Sequence, residues 1–370
     1  MKLATKPIPD RLSPEPIIQV AGLQKRYGKL LAVRGINFEV YPGEIFGLIG
    51  PDGAGKTTTF HILGGVMEAS GGNIDVLGKK PRHARLNIGY LTQQFSLYLD
   101  LSIDENLRYV AGLRRVAEAD LQHRRQKYLK LMGLERIGDR LAGQLSGGMK
   151  QKLALCCALI PQPQILLLDE PTTGVDPVSR REFWDVLAAL ANTGMTIVVA
   201  TPYLDEAERC NRIALMYEGQ IHEIGTLPQL RSNLGLQRLE IRTKEIAAVE
   251  QALSPLVNCD FTGIADVQTF GDRLDVLVAN PLSAERQIRA ALAHFDLDSI
   301  QSTDVTLENV FVTRLRQQGS DPPFIPLPGM VNGKKKLQPS SATIAIGAKQ
   351  LHKTFGTFRA VKGVNLDIHY

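Results

Sequence analysis

The chain has 370 residues, 44% hydrophobic and 22% charged, with a formal net charge of +5. That length suits two or three ordinary globular domains. The mild basic excess, without a long basic tract, reads as solvated surface charge rather than a nucleic-acid footprint, and leaves room only for a weak preference for an acidic membrane surface. Four cysteines, Cys156, Cys157, Cys210 and Cys259, form no C-x-x-C pair, which excludes a disulfide scaffold and fits a reducing compartment. No apolar run approaches the roughly 18 to 20 residues of a membrane span, and no apolar signal core follows the N-terminus.

Residues 1–16 carry Pro7, Pro9, Pro14 and Pro16 and read as a tail. Residues 17–21 and 31–40 read as strands, with Lys25-Arg26-Tyr27-Gly28 between them. Tyr27 is either a core aromatic or a platform for a purine ring. Residues 44–49 form a short apolar run that predicts a buried strand, and residues 57–66 predict a helix. Between them stands Gly50-Pro51-Asp52-Gly53-Ala54-Gly55-Lys56-Thr57-Thr58, which matches G-x-x-x-x-G-K-[ST]. Glycines allow successive N–H groups to converge on one phosphate, and the helix N-terminus adds partial positive charge there. Lys56 can reach the outer phosphates and the Thr57 hydroxyl can ligate Mg²⁺.

Short apolar runs and turn residues follow to residue 91, and then Gln93. Alone, Gln93 is a surface glutamine; near a phosphate site it can hold Mg²⁺ or the attacking water. Residues 103–134 turn to helical spacing and predict a helical insertion in an α/β domain. Ser146-Gly147-Gly148 opens a helix running to residue 160, either as a plain cap or as a second anion site. Residues 165–170, Ile-Leu-Leu-Leu-Asp-Glu, describe a buried parallel strand with carboxylates at its C-terminal end. Asp169 can hold Mg²⁺ and Glu170 can polarise a water for attack on the γ-phosphate. Asp176-Pro177 starts another helix, and residues 195–200 another buried strand.

The order Tyr27, GPDGAGKTT, Gln93, LSGGMKQK, LLLDEP and Gly174-Val175-Asp176 resembles the ATP-binding cassette of ABC transporters over about residues 18–230. The resemblance implies a P-loop NTPase fold of the ABC ATPase type, with a mixed sheet and a helical insertion at about residues 97–160. It implies ATP and Mg²⁺ as ligands, Tyr27 under adenine and Gln93 in the Q-loop. Ser146, Gly147, Gly148 and Gln151 would face the ATP of an opposing cassette, and Asp176 would lie in the loop at the dimer interface. Lys56, Gln93 and Glu170 are the expected catalytic residues, and Thr57, Gln93 and Asp169 the expected metal ligands. Two positions depart from the family: Asp52 replaces the usual Asn, and Pro202 stands after Thr201 where a histidine is usual. Proline has no side-chain donor and no N–H, so this site is expected to bind ATP and hydrolyse it slowly, unless another group takes the histidine's role.

Residues 236–315 read as a second, small α+β unit of ferredoxin-like order β-α-β-β-α-β. Strands are expected at 239–242, 261–269, 274–278 and 299–303, and helices at 244–256 and 284–295. Residues 306–311 resemble the closing helix of accessory domains on ABC-2-type drug-exporter ATPases. Residues 316–343, with Asp321-Pro322-Pro323 and Lys334-Lys335-Lys336, read as a linker. Residues 351–370 repeat residues 23–42 without a gap: Leu351, Lys353, Gly356, Ala360, Val361, Gly363 and Asn365 match Leu23, Lys25, Gly28, Ala32, Val33, Gly35 and Asn37, with Phe355 for Tyr27. A second cassette is expected to begin at 344–370, as in the fused ATP-binding subunits of bacterial ABC-2-type exporters. An incomplete second cassette is expected to expose apolar strand surface and to self-associate.

The resemblance implies an ATPase subunit that works with membrane permease subunits on the cytoplasmic face of the inner membrane, exporting drugs or other small hydrophobic compounds. Its cassette would pair with a second cassette of the same chain or of another copy. Two rival functions remain: a tandem ATPase unrelated to transport, acting on ribosomes or other assemblies, and a regulatory nucleotide-binding module that hydrolyses little.

Overall fold

The computed structural model describes residues 15–94, 96–257, 259, 262–317, 344–356 and 358–369. The expected tail and linker fall almost wholly outside these residues. The chain divides into two compact units, residues 1–319 and 320–370.

The first unit opens with β1 (Ile18–Tyr27) and β2 (Leu30–Val40), an antiparallel pair joined at Gly28-Lys29 and flanked by β4 (Gly71–Val76) in the order β2-β1-β4. The expected strand at 17–21 is therefore longer: Lys25, Arg26 and Tyr27 belong to β1 rather than to a connection. Register shifts between Val20 and Leu23 and between Lys25 and Arg26, with Gly22 at φ 64°, break the two-residue alternation that would have revealed it.

Beside this sheet lies a six-stranded one, ordered β5 (Ile88–Leu91), β6 (Ile165–Asp169), β7 (Thr196–Thr201), β3 (Ile45–Ile49), β8 (Arg212–Tyr217) and β9 (Gln220–Gly225). Five strands are parallel and β9 is antiparallel, the mixed sheet expected. Strands β3, β6 and β7 are buried at every position, as their unbroken apolar runs require of a sheet covered on both faces. The helical insertion is two helices, Ile103–Leu113 and Glu118–Met132. The first has a complete capping box, Ser102 with Glu105.

Four further strands, β10 (Gln237–Thr243), β11 (Ile264–Phe270), β12 (Arg273–Val278) and β13 (Leu297–Thr303), form an antiparallel sheet in the order β11-β12-β10-β13. Helices Ile246–Leu253 and Pro281–Ala291 occupy the two α positions, which gives the ferredoxin-like order. Val249, Leu253, Ala284 and Ile288 from these helices share one apolar core with Leu239, Ile241, Leu274, Val276 and Val278 of the sheet. Phe261, expected to begin β11, lies outside the described residues. The helix Leu307–Gln317 meets polar residues of the same sheet: Asn309 Nδ2 donates to Gln268 Oε1 (2.9 Å) and Asp275 Oδ2 (3.0 Å), and Thr313 Oγ1 to Asp266 Oδ2 (2.9 Å).

The second unit is one hairpin, β14 (Ile344–Phe355) and β15 (Phe358–His369). Its register repeats that of β1 and β2. Leu351 pairs with Val364, Lys353 with Val361 and Ile346 with Ile368, as Leu23 pairs with Ile36, Lys25 with Val33 and Ile18 with Val40. The bulge repeats too: the Gln350 N–H reaches Asn365 Oδ1 at 2.7 Å where the Gly22 N–H reaches Asn37 Oδ1 at 2.8 Å.

Candidate functional site

The turn from β3 into the helix Lys56–Leu63 is the centre of the site. Glycine is required at both ends of this turn. A Cβ on Gly50 would run into the Met216 carbonyl, and Gly55 has φ 101° with the Ala32 carbonyl oxygen 2.7 Å from where its Cβ would be. Lys56, only 3% exposed, donates to the carbonyls of Gly50 (2.7 Å) and Pro51 (2.9 Å) and lies 3.8 Å from Glu170. Burial, the largest influence, lowers its pKa, and the charges of Glu170, Asp52 and Asp169 oppose that.

Strand β6 delivers the two carboxylates. Thr57 Oγ1 donates to Asp169 Oδ1 at 3.2 Å. Burial raises the Asp169 pKa, and the Thr57 hydrogen bond pulls the other way. Glu170 breaks from the strand with φ 48°, a conformation uncommon for a side chain that is not glycine, and its N–H is held by the Ala200 carbonyl at 2.8 Å. Gln93 Nε2 donates to Glu170 Oε2 at 3.0 Å, and Thr173 Oγ1 donates to the same oxygen at 3.3 Å.

One cleft is lined by Tyr27, Leu30, Ala32, Asp52, Gly53, Gly55, Lys56, Thr57, Thr58, Gln93 and Glu170. It therefore brings together residues far apart in sequence. Tyr27 is 43% exposed, with its hydroxyl on Met67 Sδ (3.0 Å) and Lys25 Nζ 5.4 Å from its ring centre. Tyr27 is therefore not a core aromatic. Asp52 is exposed at the cleft mouth. Pro202 follows the end of β7, where the Thr201 carbonyl accepts the Gly50 N–H (3.3 Å) one residue after the Ala200 carbonyl holds Glu170.

The other expected residues lie apart from the cleft. Ser146 Oγ accepts the Met149 N–H (3.3 Å) at the start of the helix Gly147–Leu159, and Gln151 is buried in that helix. Asp176 caps the helix Pro177–Asn192 through the N–H groups of Ser179 (2.9 Å) and Val178 (3.1 Å), and hydrogen bonding from Ser179, more than from Val178, holds its carboxyl below the usual value. Gly148 is where these two helices touch, since a Cβ there would sit 2.6 Å from that of Ser179. Sequence reasoning missed Thr173 and the Leu30–Ala32 wall. Thr173 adjoins the acidic pair in sequence, but only the backbone turn at Glu170 reveals its contact.

A strand-to-helix phosphate loop facing an acidic strand end, with a helical insertion followed by a helix that opens on Ser-Gly-Gly, defines a nucleotide-binding P-loop domain. The chain belongs to the ATP-binding proteins of ABC transporters. The family model described as ABC transporter matches residues 33–173. The chain is 32% identical over 308 residues to the linearmycin resistance ATP-binding protein LnrL of Bacillus subtilis, covering 80% of this chain and 97% of that protein. It is 40% identical over 222 residues to the probable multidrug ABC transporter ATP-binding protein YbhF of Escherichia coli, covering 59% of this chain but only 38% of YbhF. Among solved structures it resembles an ATP-binding subunit of an ABC transporter (30% identity, TM-score 0.55, 59% of this chain and 93% of that one). It also resembles a dimeric cassette, MJ0796, in a post-hydrolysis state bound to ADP and Pi (26% identity, TM-score 0.53, 57% of this chain and 98% of that one). Among the described residues, no helix is long and apolar enough to cross a membrane.

Proposed function

We propose that this chain is the ATP-hydrolysing part of an ABC-2-type exporter for drugs or other small hydrophobic compounds, held by permease subunits on the cytoplasmic face of the inner membrane. The observation that carries the enzymatic part is the convergence of Tyr27, the phosphate loop, Gln93 and Glu170 on one cleft. Tyr27 offers its exposed ring to adenine. The backbone N–H groups of Gly53 and of residues 55–58 and the Lys56 ammonium hold the phosphates, and Lys56 exchanges carbonyl partners for phosphate oxygens. Glu170 accepts a proton from the attacking water, oriented by Gln93 and Thr173. The Thr57 hydroxyl, Asp169 carboxylate and Gln93 amide are hard oxygen donors of the kind Mg²⁺ takes, and two of them already meet at 3.2 Å. Bound there, Mg²⁺ would neutralise charge on the phosphate oxygens.

Ser146, Gly147, Gly148, Gln151 and Asp176 lie outside this cleft, which suits a role toward the ATP of an opposing cassette. The repeated hairpin register supports a second cassette beginning at β14, so that domains follow the order tail, cassette, accessory domain, linker, second cassette. The multidrug-transporter name of YbhF favours transport over a tandem ATPase acting elsewhere.

Pro202 itself offers no donor at the strand end between Gly50 and Glu170, so this site turns over slowly. The test is ATP turnover by the chain beside Glu170→Gln and Pro202→His. Slow turnover that Glu170→Gln abolishes and Pro202→His raises supports the reading. Fast turnover unaffected by Pro202→His would show that another group does the histidine's work. Tight binding without measurable turnover, even in Pro202→His, would favour a regulatory module.

A further inference from the structure

A buried carboxylate that the proposed mechanism does not use lies behind the acidic loop. Glu206 is 1% exposed. Its Oε1 accepts the hydroxyl of Thr172, itself 1% exposed, and lies 3.6 Å from Arg180 Nε, while its Oε2 has no hydrogen-bond partner. A charge so placed is costly unless it is paired, and the pairing leads in two directions. Arg180 belongs to the first turn of the helix capped by Asp176, donating its N–H to the Asp176 carbonyl at 2.9 Å. Its guanidinium also bonds Asp205 (3.2 Å) and covers the Tyr203 ring at 4.6 Å from the centre. Thr172 leads the other way: it follows Glu170 by two residues, and its neighbour Thr173 donates to the Glu170 carboxylate.

The loop between is tight. The Thr173 N–H reaches the Glu170 carbonyl (3.3 Å) and the Val175 N–H the Thr172 carbonyl (3.1 Å). It starts from the positive φ of Glu170, and such a conformation persists only where the surroundings determine it. Thr172 is anchored from outside the loop by Glu206.

We propose that Glu206, clamped between Arg180 and Thr172, is a positioning residue that sets the Glu170 carboxylate and ties it to the helix beginning at Asp176. The inference rests on Glu170 being the base. The clamp joins three segments: the loop after β6, the first turn after Asp176, and the segment just past Pro202. A shift of the Asp176 helix would then move the carboxylate through side chains that contact no nucleotide.

The test is a cycle of single-turnover ATP hydrolysis, sensitive to slow rates, on the full chain. Thr172→Val keeps the volume and deletes the hydroxyl; Glu206→Gln keeps an acceptor for Thr172 and releases Arg180. Each is made alone and on Glu170→Gln, with ATP affinity and binding stoichiometry measured in parallel. The expected result is a fall in rate of about tenfold or more for each variant, ATP affinity within about twofold, and no further loss on Glu170→Gln, since the effect runs through that carboxylate. An undiminished rate, or an equal fractional loss in both backgrounds, would overturn the clamp. A Glu170→Gln chain as fast as the parent would instead overturn the base assignment, and is read separately from the cycle.

Discussion

Asp169 is 1% exposed and sits beside Thr57 and near Lys56. Its folded pKa is raised, so the folded chain holds this proton more tightly than the unfolded chain. The resulting destabilisation sets in as pH rises through the carboxyl range and is complete above the raised value. Asp169→Asn should therefore raise the Tm of the nucleotide-free protein at neutral pH while removing the extra stabilisation that Mg²⁺ with ATP confers, both measurable by thermal shift. A lower Tm would show that Asp169 contributes more as a partner of Lys56 than burial costs it. Glu170→Gln should cut turnover by about 10² or more, the range for losing a general base, with ATP binding retained. Lys56, Asp169 and Glu170 were legible in the sequence because each stands at or past the end of an apolar strand, at a spacing few other chemistries need. Thr172, Thr173 and Glu206 were not, because their contacts depend on the turn at Glu170 and on a segment more than thirty residues away in the chain.

The helices Gly147–Leu159 and Pro177–Asn192 meet at Gly148. Gly148→Ala would force its Cβ into Ser179 and cost about 1–3 kcal/mol by overpacking, read as a lower urea midpoint at unchanged slope. Ser179→Gly should recover part of that loss. In the sequence this glycine looked like one of two that free a helix start; the structure adds that it sets how closely two helices pack. In β6, Leu167 is wholly buried, and Leu167→Ala should cost about 2–5 kcal/mol. Strands of this kind were easy to read, since an unbroken apolar run bounded by turns has few alternatives. Strand β1 was harder: three register shifts move its side chains off the alternating pattern, so Lys25 to Tyr27 looked like a connection.

The hairpin of β14 and β15 has the register of β1 and β2 but not their surroundings. Ile18, Leu23, Ile36 and Val40 are buried, whereas Ile346, Leu351, Val364 and Ile368, at matching positions, are 44% to 60% exposed. This chain should therefore self-associate, and Leu351→Lys with Ile368→Lys should lower its apparent mass in light scattering without changing ATP turnover. Equal masses for parent and variant would remove the hairpin as the cause. The repeat was legible because it is ungapped; the number of exposed positions was not, since sequence says what a face can pack against and not whether anything does.

The helix Leu307–Gln317 belongs to two bodies at once. Leu307 and Val310 join the apolar cluster of Leu230 and Leu234, while Asn309 and Thr313 are bonded into the polar side of the ferredoxin-like sheet. Arg314 adds bonds to Glu223 (3.0 Å) and to the Asn233 carbonyl (2.9 Å). Neither body can lose this helix alone. The small sheet is thus an extension of the cassette's cooperative folding unit, and calorimetry of the first unit should give a single endotherm in which the calorimetric and van't Hoff enthalpies agree.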